Sequence, residues 1–197
     1  MTAPVRGRPR STEAHQAILR ATLELLVEGG FRGLSIDGVA ARAGVGKATI
    51  YRRWRSKTEL VEEAIKGLSE GIELPDTGSL RGDFLAIAVF AMRGTNVRES
   101  TLVPRLVAEA AGDPTLHEIF LRELVAPRRN ALKVLLKRAQ ARGELRRDAD
   151  LELAVDLLIG PIFYRLLIVA LGARLPRNYA ERSFEGAMTG LAAAEGS

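Results

Sequence analysis

The 197-residue sequence predicts an all-α fold, divided between a small N-terminal helical domain and a larger helical C-terminal one. Three observations carry this prediction. Apolar residues recur at helical spacing along most of the chain, with almost none of the two-residue alternation of half-buried strands. Ser, Asp and Gly fall where helices have to start and stop. A single stretch rich in turn residues, GIELPDTGS at 71–79, interrupts the periodicity and marks a linker. With 47% hydrophobic residues the chain can bury a real core.

The elements follow in order. Residues 1–10 form a basic arm. Ser11 can cap a first helix, in which Ile18, Thr22, Leu25, Leu26 and Gly29 keep one phase until Gly29 and Gly30 stop it. Ser35 can cap a second, where Ile36, Val39, Ala40 and Ala43 form a single apolar stripe ended by Gly44. A third short helix is expected from Gly46 to Arg53, completing a domain at 11–55. Ser56 and Glu59 match a capping box, so a connector helix is expected over 56–70.

Residues 79–197 read as a second helical domain. Ser79 caps a helix whose centre, FLAIAVFAM at 84–92, is apolar on every face and so needs neighbours all round. Asp113 and Pro114 make a cap followed by proline at the first helical position. Leu116, Phe120, Leu124, Ala131, Leu135 and Ala139 then hold a 3.6-residue phase across Pro127, which favours one kinked helix over two. Asp148 or Asp150 starts a long apolar helix from Leu151, interrupted at Gly160 and Pro161, and a last helix is expected over 176–194. That apolar helix carries Glu152, Asp156 and Arg165, three charges too costly for a bilayer interior, so no membrane span is expected.

Charge is concentrated at one end. Residues 1–60 carry 11 Lys and Arg against 5 Asp and Glu, whereas the remainder carries 18 against 19. A basic N-terminal third on a neutral body suits binding to a polyanion. The chain has 24 Arg and only 5 Lys, so the location of the charge says more than its total. There is no cysteine, which excludes disulfides and thiolate sites. His15 and His117 stand too far apart to suggest zinc, no glycine-rich phosphate loop occurs, and no nucleophile lies beside a histidine. Glu109, His117 and Asp156 could meet in a polar site only by accident. No catalysis, metal or cofactor is expected, and the lack of a signal-peptide core in MTAPVRGRPRSTEAHQ makes the cytoplasm the expected compartment.

Two short helices joined by a tight turn at Gly44 make a helix-turn-helix, whose second helix enters the DNA major groove. Gly46 and Ala48 are small enough to let it approach base edges. Lys47 can reach a phosphate or a guanine, Thr49 a thymine, and Arg52 a phosphate or guanine with two hydrogen bonds. Tyr51 and Lys57 suit phosphates, as does Ser35 with the N–H groups it caps, and Arg42 is either a phosphate contact or a surface residue. Val45, Ile50 and Trp54 fall on another face, the core side, and Val45 is also a candidate DNA contact. Arg6, Arg8 and Arg10 in the RGRPR run match the core of a minor-groove arm, although a flexible basic tail has the same composition.

GLSIDGVAARAGVGKATIYRRWRSKTELV, residues 33–61, resembles the DNA-binding signature of the TetR family of bacterial transcriptional regulators. The shared features are a helix entered at Ser, an A-x-x-A-G-V turn, a K-x-T-x-Y recognition helix, an aromatic three residues after the Tyr, and an S-K-x-x-L entry to the next helix. Ala48 stands where the family often has glycine, and Arg52 where histidine is frequent, differences that bear on which bases are read. The resemblance implies a homodimer on a double-stranded operator, and a C-terminal domain for ligand binding and dimerisation in which a small-molecule effector lowers DNA affinity. A repressor is the family's commoner mode. VAPRRNALKVLLKRAQARGEL at 125–145, followed by a proline-interrupted apolar helix, is a looser likeness to the family's C-terminal domains.

For the dimer, the apolar helix and the last one suggest a four-helix interface with Leu158, Ile162, Tyr179, Phe184, Ala187, Met188 and Leu191. For the effector, aromatic surface near the Gly160–Pro161 interruption suggests Phe163, Tyr164 and Arg165, with Phe84, Ile87, Met92 and Phe120 opposite. Such a lining suits an apolar or amphipathic ligand with an anionic group for Arg165. The rival reading is an architectural or nonspecific DNA binder, whose affinity depends on salt and not on sequence.

Overall fold

A computed structural model describes residues 9–70, 73–93, 102–169, 176 and 178–191. Within them every regular element is helical: α1 Pro9–Gly33, α2 Ile36–Ala43, α3 Lys47–Tyr51, α4 Lys57–Gly67, α5 Leu80–Arg93, α6 Leu102–Gly112, α7 Pro114–Phe120, α8 Ala126–Arg142, α9 Leu151–Tyr164 and α10 Tyr179–Leu191. Two π-helical turns intervene, at Leu121–Val125 and Arg165–Val169. No helix among the described residues is long and apolar enough to cross a membrane.

The described residues group into two compact units, one within 1–70 and 105–124, the other within 71–104 and 125–197. The break near residue 70 falls where the sequence places its linker. Residues 105–124, however, which the sequence assigns to the second domain, pack with the first unit. Local contacts explain this: Arg122 donates to Glu62 Oε1 at 2.7 Å, and Arg32 faces Asp113 at 3.6 Å. Gly30 approaches α6 so closely that a Cβ there would stand 2.5 Å from Glu109 Oε2.

In the first unit α1 packs on α2 and α4, and α7 on α4. Its buried side chains include Ile18, Leu26, Val39, Ile50, Trp54, Leu60 and Ile65, with Leu106, Leu116 and Leu124. Thr22, fully buried, satisfies its hydroxyl on the Ile18 carbonyl at 2.8 Å. α1 begins at Pro9, two residues before the expected Ser11 cap, because proline's fixed φ suits a first helical position. Its path breaks at Gly30 (φ 66°, ψ 179°), a conformation open essentially to glycine alone.

The expected kinked helix from Pro114 is realised as α7, a π turn and α8 in unbroken succession. Pro127 has no N–H for the carbonyl four residues earlier, that of Glu123. Ser69 Oγ donates to that carbonyl at 3.2 Å, so the turn after α4 supplies a partner that the helix cannot. α6 escapes notice in the sequence because Pro104 stands in its first turn, a place that proline tolerates.

In the second unit α5, α8, α9 and α10 enclose Leu80, Phe84, Leu135, Leu136, Ala154, Val155, Leu158 and Phe184. Phe84 and Phe184 meet with ring centroids 5.3 Å apart. The linker's second half is tied down: Arg138 donates to the Pro75 carbonyl, and Asp83 Oδ1 accepts from Thr77 N at 2.7 Å and Thr77 Oγ1 at 2.8 Å. Asp83 is completely buried, with Oδ2 3.8 Å from the Arg142 guanidinium. Asp83→Ala removes the buried carboxylate that accepts from both Thr77 N and Thr77 Oγ1, a loss of about 1–3 kcal/mol. A drop of several degrees in Tm is the expected result in a thermal melt, with Asp83→Asn, which keeps the accepting oxygen, losing less.

Candidate nucleic-acid interface

The turn between α2 and α3 is built from local rules. Ser35, extended at φ −128°, accepts the Gly38 N–H on its Oγ and starts α2. At the other end Gly44 adopts the left-handed conformation (φ 67°, ψ 32°). Its N–H donates to the Ala41 carbonyl and that of Val45 to the Ala40 carbonyl, the paired bonds of a Schellman motif. Gly46 then precedes α3 with no side chain on its N-terminal N–H groups, and a Cβ there would meet nothing within 4 Å.

α3 has two sides. Ile50 is fully buried and Trp54, just beyond, is 2% exposed. The Trp54 ring stacks on His15 of α1 at 5.4 Å and 13°, and its indole N–H donates to Glu63 of α4. The opposite side presents Gly46, Lys47, Ala48, Tyr51 and Arg52 to solvent, Tyr51 being 56% exposed, with Thr49 and Val45 half-buried beside them. Six of the expected DNA contacts from Gly46 to Arg52 therefore share one short helix and its flanks, with Ser35 at the start of α2.

Two expected contacts are engaged elsewhere. Arg42 donates to both carboxylate oxygens of Glu28 at 3.0 and 2.9 Å, and to Glu24 at 3.3 Å, clamping α2 to α1. Lys57 donates to the Phe31 carbonyl at 2.8 Å with its ammonium 4.5 Å above the Phe31 ring, so it satisfies an orphan carbonyl near the end of α1. Neither partner is near in sequence, which is why side-chain chemistry alone pointed these cations toward phosphate. Arg6 and Arg8 lie outside the described residues; Arg10 falls in the first turn of α1, its side chain outside them.

The hydrogen bonds from Arg42 hold the Glu28 carboxyl below the usual carboxylate range and raise the Arg42 guanidinium. A depressed carboxylate stabilises the fold above its unfolded pKa and loses that contribution as pH falls through the folded value. Glu28→Gln is expected to lower the melting temperature slightly at pH 7. The difference from the unsubstituted protein should vanish in acid below the carboxylate range, as thermal melts across pH would register.

The other expected sites are arranged differently from the sequence reading. Leu158 and Phe184 are interior, packed within the second unit's core, with Ile162, Ala187 and Met188 partly buried against it. Tyr179 is half-buried, its hydroxyl 3.4 Å from the Pro161 carbonyl, and the Leu191 side chain lies outside the described residues. These residues face their own chain, because α8 and α10 of the same chain pack against α9. The effector residues are divided between the two units. Phe84 is core and Ile87 borders it, Phe120 belongs to the first unit, and Phe163 and Tyr164 are exposed. Arg165 sits over the Tyr179 ring at 5.4 Å, and the Met92 side chain lies outside the described residues.

Comparison with known proteins points the same way along almost the whole chain. A family model described as bacterial regulatory proteins, tetR family, matches residues 18–64, and one described as tetracyclin repressor-like, C-terminal domain, matches residues 74–186. An uncharacterised HTH-type transcriptional regulator of Bacillus subtilis, YdeS, is 40% identical over 164 residues, 83% of each chain. A DNA-binding transcriptional repressor, TetR, of Mycobacteroides abscessus is 35% identical over 165 residues, covering 83% of this chain and 85% of that one. Among solved structures, the flavonoid-responsive regulator FrrA superposes with a TM-score of 0.66 at 25% identity, covering 90% of this chain and 94% of that one. Salmonella enterica GusR gives 0.69 at 21% identity, covering 94% and 96%.

Proposed function

We propose, from the premise that this chain belongs to the TetR family of bacterial transcriptional regulators, that it binds a palindromic operator as a homodimer and represses transcription until a small molecule releases it. DNA-binding regulation of transcription is the function of the family, whose members are in general not enzymes. The observation that carries the rest is the two-sided α3. Ile50 and Trp54 anchor it inward while Lys47, Ala48, Tyr51 and Arg52 project into solvent, as a helix read by a major groove requires.

A helix of five residues reads few base pairs, so useful specificity needs a second half-site, one helical turn or about 34 Å away. For the dimer we favour the outward side of α9, where Leu153, Leu157, Tyr164 and, in the following π turn, Ile168 are exposed at helical spacing. Repression is supported by the M. abscessus relative, and a small-molecule effector by the flavonoid-responsive neighbour. The effector domain is the C-terminal unit. In vitro selection of bound duplexes from a random pool tests the reading. A two-fold symmetric consensus is expected; enrichment without any consensus would overturn it.

A further inference from the structure

Residues 35–55, the stretch from the cap of α2 through α3 to Arg55, contain five basic residues and one acid, Asp37. A lone carboxylate in a stretch proposed to face a polyanion needs a reason. As a second residue of α2 it gains something from the helix dipole, but any acid in the first turn would gain as much. Its partner is the more telling fact: Asp37 Oδ2 lies 2.7 Å from the ammonium of Lys47, the first residue of α3, and both side chains are mostly exposed. The one acid of this stretch is thus paired with the one lysine of the recognition helix.

A lysine ammonium carries three N–H donors on a flexible four-carbon stem and lacks the rigid fork of arginine. Left to itself beside a duplex, it goes to the nearest phosphate, where it adds affinity without sequence information. A carboxylate that takes one donor fixes the ammonium in place, leaves two donors for a guanine edge, and repels the phosphates that would draw it aside. We infer that Asp37 is a positioning residue that tethers Lys47 and turns it from a phosphate contact into a base reader. This rests on the sequence-specific reading proposed above.

The test compares the full-length protein with Asp37→Asn and Asp37→Glu, on random-sequence duplex and on the duplex selected by the unsubstituted protein, across a range of salt. Asp37→Asn is expected to bind random duplex about fivefold more tightly at low salt. Its log affinity should fall more steeply with log salt by about 0.9, one additional phosphate contact. A repeated selection should show weakened preference at one base pair of each half-site. Asp37→Glu, which keeps the charge, should restore the shallow salt slope. A merely structural role for Asp37 would lower both affinities and leave slope and consensus alone, and that result overturns the inference, as does an Asp37→Asn protein indistinguishable from its parent. Equal binding of selected and random duplexes by the unsubstituted protein would instead remove the reading on which the inference stands.

Discussion

Leu157→Glu is expected to leave the chain folded, to make it monomeric in sedimentation at micromolar concentration, and to weaken operator binding by two orders of magnitude or more. Leu157 is 40% exposed, and with Leu153 (54%), Tyr164 (60%) and Ile168 (64%) it forms an apolar row in phase with exposed Gly160. A contiguous apolar row of this kind marks an interaction surface. In the proposed dimer a second copy of the same row would satisfy it by two-fold symmetry, and Gly160, where a Cβ would meet nothing within 4 Å, leaves room for close approach. Two linked readers gain about 10²–10⁴ over one through effective concentration, and a monomer forfeits that gain. The neighbouring Leu158 supplies the control, being fully buried in its own subunit's core. Leu158→Ala should cost about 2–5 kcal/mol of folding stability and leave association intact in whatever fraction stays folded. A Leu157→Glu protein that remains dimeric would place the interface elsewhere.

The contrast between Leu157 and Leu158 also shows where sequence stops being legible. Both lie in one helix, apolar nearly all round, and periodicity cannot tell which side meets α8 and α10 of the same chain and which faces away from them. Only the partners decide that, and they come from residues some 20 to 30 positions away, in α8 before it and α10 after it. The helix-turn-helix is legible for the opposite reason: Ser35 on Gly38, Gly44 on Ala41, and Ser56 on Glu59 are bonds between residues three apart, so the motif states its own geometry. Arg42 and Lys57 sit inside that legible region, yet their intrachain partners do not, since Glu28 and Phe31 reach them from 14 and 26 residues away. Phe120 is a third case. Its spacing within α7 foretells burial, but the unit into which it is buried depends on contacts such as Arg122 with Glu62. The Trp54 cluster lies between these extremes, because an inward aromatic was legible from its phase while its partners His15 and Glu63 were not.

The second large effect is expected at Gly44, where a single backbone angle sets the direction of α3. A side chain there would meet no neighbour within 4 Å, so any loss comes from φ 67° itself. An L-residue in the left-handed region costs about 1–2 kcal/mol, and a β-branched one more. The chain can avoid that cost only by unwinding the Schellman bonds from Val45 to Ala40 and from Gly44 to Ala41, which swings Gly46, Lys47 and Thr49 away from their present places. Gly44→Val is therefore expected to lower the melting temperature by only a few degrees while reducing operator affinity more than tenfold, because base reading fails over displacements that packing tolerates. Gly44→Asn separates the two causes. Asparagine occupies the left-handed region readily and is expected to retain most of the affinity. Melting curves and operator titrations on the three proteins decide the matter. If valine and asparagine reduced binding equally, the absence of a side chain at 44, rather than the turn's handedness, would be what the DNA requires.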